Sequence, residues 1–194
     1  MENISAAAKL FGSLFYYPLN NENNTQYINY IKQSEDLDDT EFSDFIRAYE
    51  STDNELVADD FQRLFEGCDV MPAPPWGSVY LDREQVIFGD STLRFRQFLL
   101  SHNIELNTGM REPEDQFGLS LLAMAMMIDQ EKDESVISDL LSEHLLPWSY
   151  HYLELVKKHS KTDVYKTLSD ITVGWLTALQ KELNITPHEY KLYF

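Results

Sequence analysis

The chain has 194 residues and a formal net charge of −18, from 33 acidic against 15 basic side chains. A field of that sign repels phosphate backbones and attracts cations, so nucleic acid is disfavoured as a partner and a basic peptide is suited. With 43% hydrophobic residues the chain can fill one sizeable core, and one compact domain over 1–194 is expected. Cys68 stands alone, which excludes an intramolecular disulfide.

The opening stretch, MENISAAAKLFGSLFYYP, places Glu2 before its apolar residues and has no basic n-region, which argues against a secretory signal. It carries Ile4, Ala7, Ala8, Phe11, Leu14 and Phe15 on one stripe, predicting a helix that stops before Pro18. A polar turn, NNENN, follows, and then a weaker helix over Tyr27–Lys32. Phe42, Phe45, Ile46 and Tyr49 predict a third helix behind the capping candidates Asp39 and Thr40. Thr52 and Glu55 have capping-box spacing and open a stripe of Val57, Phe61, Leu64, Phe65 and Cys68.

That stripe runs into MPAPPWGSVYLDRE at 71–84, where Pro72, Pro74 and Pro75 predict extended chain with neither helix nor internal strand. A helix capped by Asp90 or Ser91 should run to about Ser101, and another should start with Pro113 in its first turn. From Leu119 to Ile128 the latter is apolar on nearly every side, as in the centre of a bundle, yet about half the roughly 20 residues of a membrane span. Helices over Val136–Leu146, Trp148–His159 and Thr162–Asn184 complete an all-α bundle of eight to ten helices with one long proline-rich loop. Long irregular connections inside compact domains are commonly functional.

The five histidines show no HExxH and no i, i+4 pair, which disfavours a metal site; His144 shares a face with Ile137 and Leu141 and reads as a partly buried, hydrogen-bonded histidine. Neither GxxxxGKS/T nor GxGxxG occurs, so no phosphate-binding loop is expected, and no cofactor is called for. GxSxG is absent, and Cys68 ends an apolar stripe as an inert core thiol would. Arg83, Arg94 and Arg96 are too few for a nucleic-acid patch, and Lys157, Lys158 and Lys161 suit a helix end.

Glu112, Glu114 and Asp115 crowd one helix start. They either complement the macrodipole and cap free N–H groups or gather beside apolar surface to hold arginine guanidinium groups. The proline segment has three readings: a rigid connection with Trp76 plugging the bundle, the wall of a groove, or a PxxP ligand for an SH3-like partner.

MPAPPWGSVYLDRE at 71–84, FGDSTLRFRQFL at 88–99, EPEDQFGLSLL at 112–122 and HLLPW at 144–148 resemble the signature blocks of TorD-family chaperones, the DmsD type above all. LFGSLFYYP at 10–18 and FQRLFEG at 61–67 fit the same order. The resemblance implies an all-helical, non-enzymatic, cytoplasmic chaperone. It would bind the twin-arginine signal peptide of a molybdopterin oxidoreductase, such as dimethyl sulfoxide reductase, and delay export until cofactor loading is complete. The Tat translocase is a second implied partner, with a monomer as the working state and a dimer as the alternative.

By motif match the leader-binding groove would comprise Tyr16, Phe61, Leu64, Phe65, Trp76, Tyr80, Arg83, Phe88, Gly89, Asp90, Pro113, Asp115 and Gln116. The aromatics would take the leader's apolar stretch and Asp115, with Glu112 and Glu114, its arginines. Gly89 would allow close backbone approach or a positive φ. Two departures stand out: the family's EPxDH block ends here in Gln116, which cannot titrate, and Asp69 lies where an aromatic precedes the prolines. The alternatives are an all-α enzyme using Asp115 with a histidine in acid–base chemistry, and a GTP-dependent variant of the chaperone.

Overall fold

The computed structural model describes residues 1–34, 37, 40–67, 70–107, 109 and 112–194. The expectations for Asp39, Cys68 and Asp69 lie outside the described residues. Among the described residues the regular elements are helices. They are α1 (Glu2–Tyr16), α2 (Glu22–Lys32), α3 (Phe42–Ser51), α4 (Asn54–Phe61), α5 (Gly77–Leu81), α6 (Asp90–Ser101), α7 (Phe117–Asp129), α8 (Glu134–Asp139), α9 (Leu146–His159) and α10 (Asp163–Glu182). A π-helical turn, Gln62–Glu66, prolongs α4, and a second, Leu140–Leu145, carries α8 into α9. None of the described helices is long and apolar enough to cross a membrane.

Contacts divide the chain into two compact units. The first comprises Met1–Tyr16, Pro75–Tyr150 and Leu179–Phe194. At its centre lies α7, whose Phe117, Leu119, Leu121, Met124 and Met127 are buried on different sides of the helix. The α1 helix packs along α7. A Cβ added to Gly118 would fall 2.5 Å from the Gly12 carbonyl oxygen, so two glycines let the backbones touch where any side chain would hold them apart. Phe15 then meets Phe117 edge-on at 5.0 Å.

The second unit comprises Tyr17–Pro74 and His151–Ala178. Phe61 and Phe65 pack at 5.2 Å, and Phe65 meets Tyr165 edge-on at 5.5 Å. The buried Asp60 accepts hydrogen bonds of 2.9 Å from the N–H groups of Lys161 and Thr162 and from the Thr162 hydroxyl. It therefore caps α10 from α4, while Arg63 binds its other oxygen at 2.7 Å.

Several boundaries differ from the sequence reading because the decisive hydrogen bonds are made elsewhere. The NNENN stretch leads into α2, which begins at Glu22: Asn21 caps it, accepting from the Asn23 N–H at 3.0 Å. Asp53, and not Thr52, caps α4; the Thr52 hydroxyl donates back to Ala48 at the end of α3. The Thr40 hydroxyl donates to the Leu37 carbonyl and does not cap α3. Within the proline segment only the part before Gly77 is extended, since Gly77–Leu81 forms α5. Pro113 precedes α7 by a turn, and Gln116 caps that helix.

Gly118→Ala should lower the unfolding free energy by about 1–3 kcal/mol through backbone overlap with α1, read as a shift in the urea midpoint at unchanged m-value.

Candidate functional site

Prolines 72, 74 and 75 cannot donate backbone hydrogen bonds, so what fixes the segment after them must come from its carbonyls and from the residues that follow. The Pro75 carbonyl accepts the Phe117 N–H at 2.7 Å and the Gly77 N–H donates to the Asp115 carbonyl at 3.0 Å. Trp76 and Gln116 thus form an isolated antiparallel bridge. The chain before α5 is sewn to the chain before α7.

Asp115 completes that seam. Its Oδ2 accepts the Ser78 N–H at 2.7 Å, capping α5, and the Thr92 hydroxyl of α6 at 2.9 Å. With 4% exposure, the carboxyl group is pushed above its usual range by burial, an effect the Ser78 and Thr92 hydrogen bonds oppose. Next to it, Gln116 caps α7: its Oε1 accepts the Leu119 N–H at 2.9 Å while its Nε2 donates to the Phe15 carbonyl at 3.3 Å. A neutral amide performs both tasks at once, accepting on one side and donating on the other.

The remaining carboxylates of the block are also engaged. Trp76 Nε1 donates to Glu112 at 2.7 Å; burial raises the Glu112 pKa and that hydrogen bond holds it down. Glu114 accepts both Arg96 Nε and Nη2 at 2.7 Å, a bidentate pair whose hydrogen bond raises the guanidinium pKa. Arg96 lies 5.9 Å from the Phe88 ring centroid.

Residues 82–89 connect α5 to α6 and expose Arg83, Glu84, Val86 and Ile87. Asp82 caps α6 from a distance, accepting the Ser91 N–H at 2.9 Å and its hydroxyl at 2.7 Å. This explains Gly89: its φ is an ordinary −71°, but a Cβ there would stand 2.3 Å from Asp82 Oδ2. The positive φ falls on its neighbour Phe88, at 61°, where a bulky aromatic stores strain.

Tyr80 of α5 is fully buried, and burial drives its phenol well above the usual range. Its ring stacks on Trp148 at 5.3 Å and 20°, and the Trp148 indole N–H donates to the His144 carbonyl at 2.8 Å. Gly77 leaves the space for that indole, since a Cβ would sit 2.9 Å from its nitrogen. The His144 ring lies 5.2 Å from Phe95 and 4.8 Å from Phe98, and this desolvation, with Arg94, lowers its pKa to about 4.

The first unit therefore contains Tyr16, Trp76, Tyr80, Arg83, Phe88, Gly89, Asp90, Pro113, Asp115 and Gln116. Of these, Arg83 and Asp90 are exposed and Tyr16, Trp76, Phe88 and Gly89 half-buried, whereas Tyr80, Pro113, Asp115 and Gln116 are interior. Phe61, Leu64 and Phe65 belong to the second unit and are buried in it. The bracing roles of Ser78, Asp82 and Thr92 carry no sequence signal: nine residues separate Asp82 from Ser91, and 23 separate Thr92 from Asp115. Glu112 and Glu114 stand out as part of an acidic block, but nothing in the sequence pairs them with Trp76 and Arg96.

The family described as "Nitrate reductase delta subunit" matches residues 32–154. The chain is 34% identical to a Haemophilus influenzae protein named as a probable Tat proofreading chaperone, DmsD, over 100% of this chain and 98% of that one. It is 31% identical to the Salmonella typhimurium Tat proofreading chaperone DmsD over 95% and 92%. A redox enzyme maturation protein from Archaeoglobus fulgidus has the same fold, with a TM-score of 0.61 and 20% identity over 89% of this chain and 93% of that one.

Asp115→Ala should lower the unfolding free energy by about 2–4 kcal/mol, because it leaves the Ser78 N–H and Thr92 hydroxyl buried without acceptors. Because the folded pKa of Asp115 is raised, ionisation is harder in the folded chain. Its contribution to stability is full below the unfolded value near pH 4 and falls as pH rises toward the folded value. Asp115→Asn removes that component, so urea titrations from pH 4 upward should show a flatter stability profile than the parent chain.

Proposed function

Because the chain belongs to the nitrate reductase delta subunit family, the TorD family of chaperones, we propose that it is a Tat proofreading chaperone. It binds the twin-arginine signal peptide of a redox enzyme in the cytoplasm. The client is a molybdopterin oxidoreductase of the dimethyl sulfoxide reductase kind, retained until folding and cofactor insertion are complete. The structural observation that carries this reading is the set of exposed side chains along residues 83–93. There Val86, Ile87 and Leu93 are each about half exposed, at 50%, 47% and 50%, beside the exposed carboxylates Glu84 and Asp90. Apolar side chains in water flanked by carboxylates suit a peptide with a cationic segment followed by an apolar one.

In this reading Tyr16, Trp76, Arg83, Phe88, Gly89 and Asp90 are the groups that meet the leader. The Tyr80 ring, Pro113, Asp115 and Gln116 hold them in place, and Phe61, Leu64 and Phe65 pack in the core of the second unit. Strain at Phe88 supports the assignment, since an aromatic kept at a φ of 61° costs about 1–3 kcal/mol that packing must offset. The acid–base enzyme reading gains no support from Asp115, whose Oδ2 serves as a cap for Ser78 and Thr92.

Calorimetric titration with a synthetic twin-arginine leader should give saturable binding that weakens several-fold between low and physiological salt, as exposed carboxylates require. Absence of saturable binding at low salt, with every leader tried, contradicts the proposal. Phe88→Gly should weaken that binding about tenfold while changing stability by no more than about 1 kcal/mol, because relief of the positive φ offsets the lost ring. Equal loss of binding and of melting temperature would instead make Phe88 a packing residue.

A further inference from the structure

After α10 the chain does not stop at the helix. Ile185 closes it with an N–H donated to the Gln180 carbonyl at 2.9 Å, and residues 186–194 then run without regular structure across the first unit. The His188 N–H donates to the Ser142 carbonyl at 2.9 Å, in the π-helical turn before α9. The Tyr193 N–H donates to the Tyr80 carbonyl at 2.9 Å, and the Gln85 side-chain amide donates to the Tyr193 carbonyl. The Phe194 ring stands at 75° to the Tyr80 ring, with centroids 5.5 Å apart.

Each contact has a physical reason. The α5 helix is only five residues long, and an extended backbone N–H, that of Tyr193, donates to the Tyr80 carbonyl near its end. Phe194 packs edge-on against the Tyr80 ring, on a stack of large rings that includes Trp148. The hold is shallow all the same: Tyr190, Tyr193 and Phe194 remain 42%, 36% and 39% exposed. A cover attached by a few hydrogen bonds and half-buried rings opens at low free energy.

The covering sequence, HEYKLYF at 188–194, places one cation, Lys191, ahead of Leu192, Tyr193 and Phe194. That order of cation and then apolar residues is the chemistry assigned above to the leader. We infer that the surface made by the Tyr80 carbonyl, Gln85 and the Tyr80–Trp148 stack is a peptide-docking surface that residues 188–194 occupy in cis. An extended peptide with a cation followed by apolar residues displaces them and takes over the same backbone acceptor. The inference rests on the chaperone reading for the identity of the displacing peptide, but not for the existence of the surface. If the cover is in place in nine molecules of ten, leader affinity is reduced about tenfold.

Two arms test this. A chain lacking 188–194 should bind a synthetic twin-arginine leader roughly three- to tenfold more tightly than the full chain. Added in trans, a synthetic HEYKLYF heptapeptide should bind the shortened chain saturably, shift tryptophan emission and compete with the leader. Should the shortened chain lose helical content, Tyr193→Pro in the full chain, which deletes the N–H donated to Tyr80, carries the same comparison. Equal or weaker leader binding after the cover is removed overturns the inference, as does failure of the heptapeptide to bind. If neither chain binds any leader, the chaperone reading fails, and the heptapeptide arm alone decides whether the docking surface exists.

Discussion

The first unit depends on a carboxylate that water hardly reaches. Asp115 holds the N-terminus of α5 and the Thr92 hydroxyl of α6 with one oxygen, and its backbone carbonyl holds Gly77. Burial opposes its ionisation, and the N–H and O–H donors oppose that in turn, so the group is worth having only if all of its partners arrive together. Proline supplies the reason such a clamp is needed. Pro74 and Pro75 remove the donors with which the segment would otherwise fasten itself, and side-chain and carbonyl acceptors from the EPED block take over.

Once the clamp is set, the surface above it follows. With α5 fixed, Tyr80 is delivered onto Trp148, and Asp82, at the end of α5, is placed to cap α6. Gly89 is then the residue that fits against Asp82 Oδ2, and the turn is completed by Phe88 in the left-handed region. The exposed apolar residues 86 and 87 sit in a connection whose two ends are fixed in this way. A pre-shaped surface loses little conformational entropy on binding a peptide, which suits a receptor that must recognise an extended, mobile leader.

Most of the helices were legible in the sequence because each buries a stripe, and periodicity reports stripes. The α1 and α10 patterns are of that kind, whereas α7 was legible from an apolar run that leaves no polar face. Much of what escaped has a common cause: caps contributed from afar. Asp60 on Thr162, Asp82 on Ser91 and Asp115 on Ser78 join residues 102, 9 and 37 positions apart. The α6 helix does begin at Asp90, but its cap comes from Asp82, whereas at α4 and α7 the misses are local, with Asp53 capping in place of Thr52 and Gln116 three residues after Pro113. The α5 helix escaped for a related reason, since GSVYL is too short to show a period and is stabilised by a cap from position 115. For the candidate site, the resemblance named stretches of chain but could not separate side chains that meet solvent, such as Arg83 and Asp90, from interior ones, such as Tyr80 and Gln116.

The central claim is that a twin-arginine leader docks on the surface the Asp115 clamp shapes. The most direct measurement is a titration of the nitrogen-15-labelled chain with such a leader, followed by amide and indole resonances. The account predicts that the Trp76 indole N–H and the amides of Phe88, Gly89 and Asp90 shift saturably. Saturable shifts confined to the second unit, with those four resonances unmoved, would contradict it.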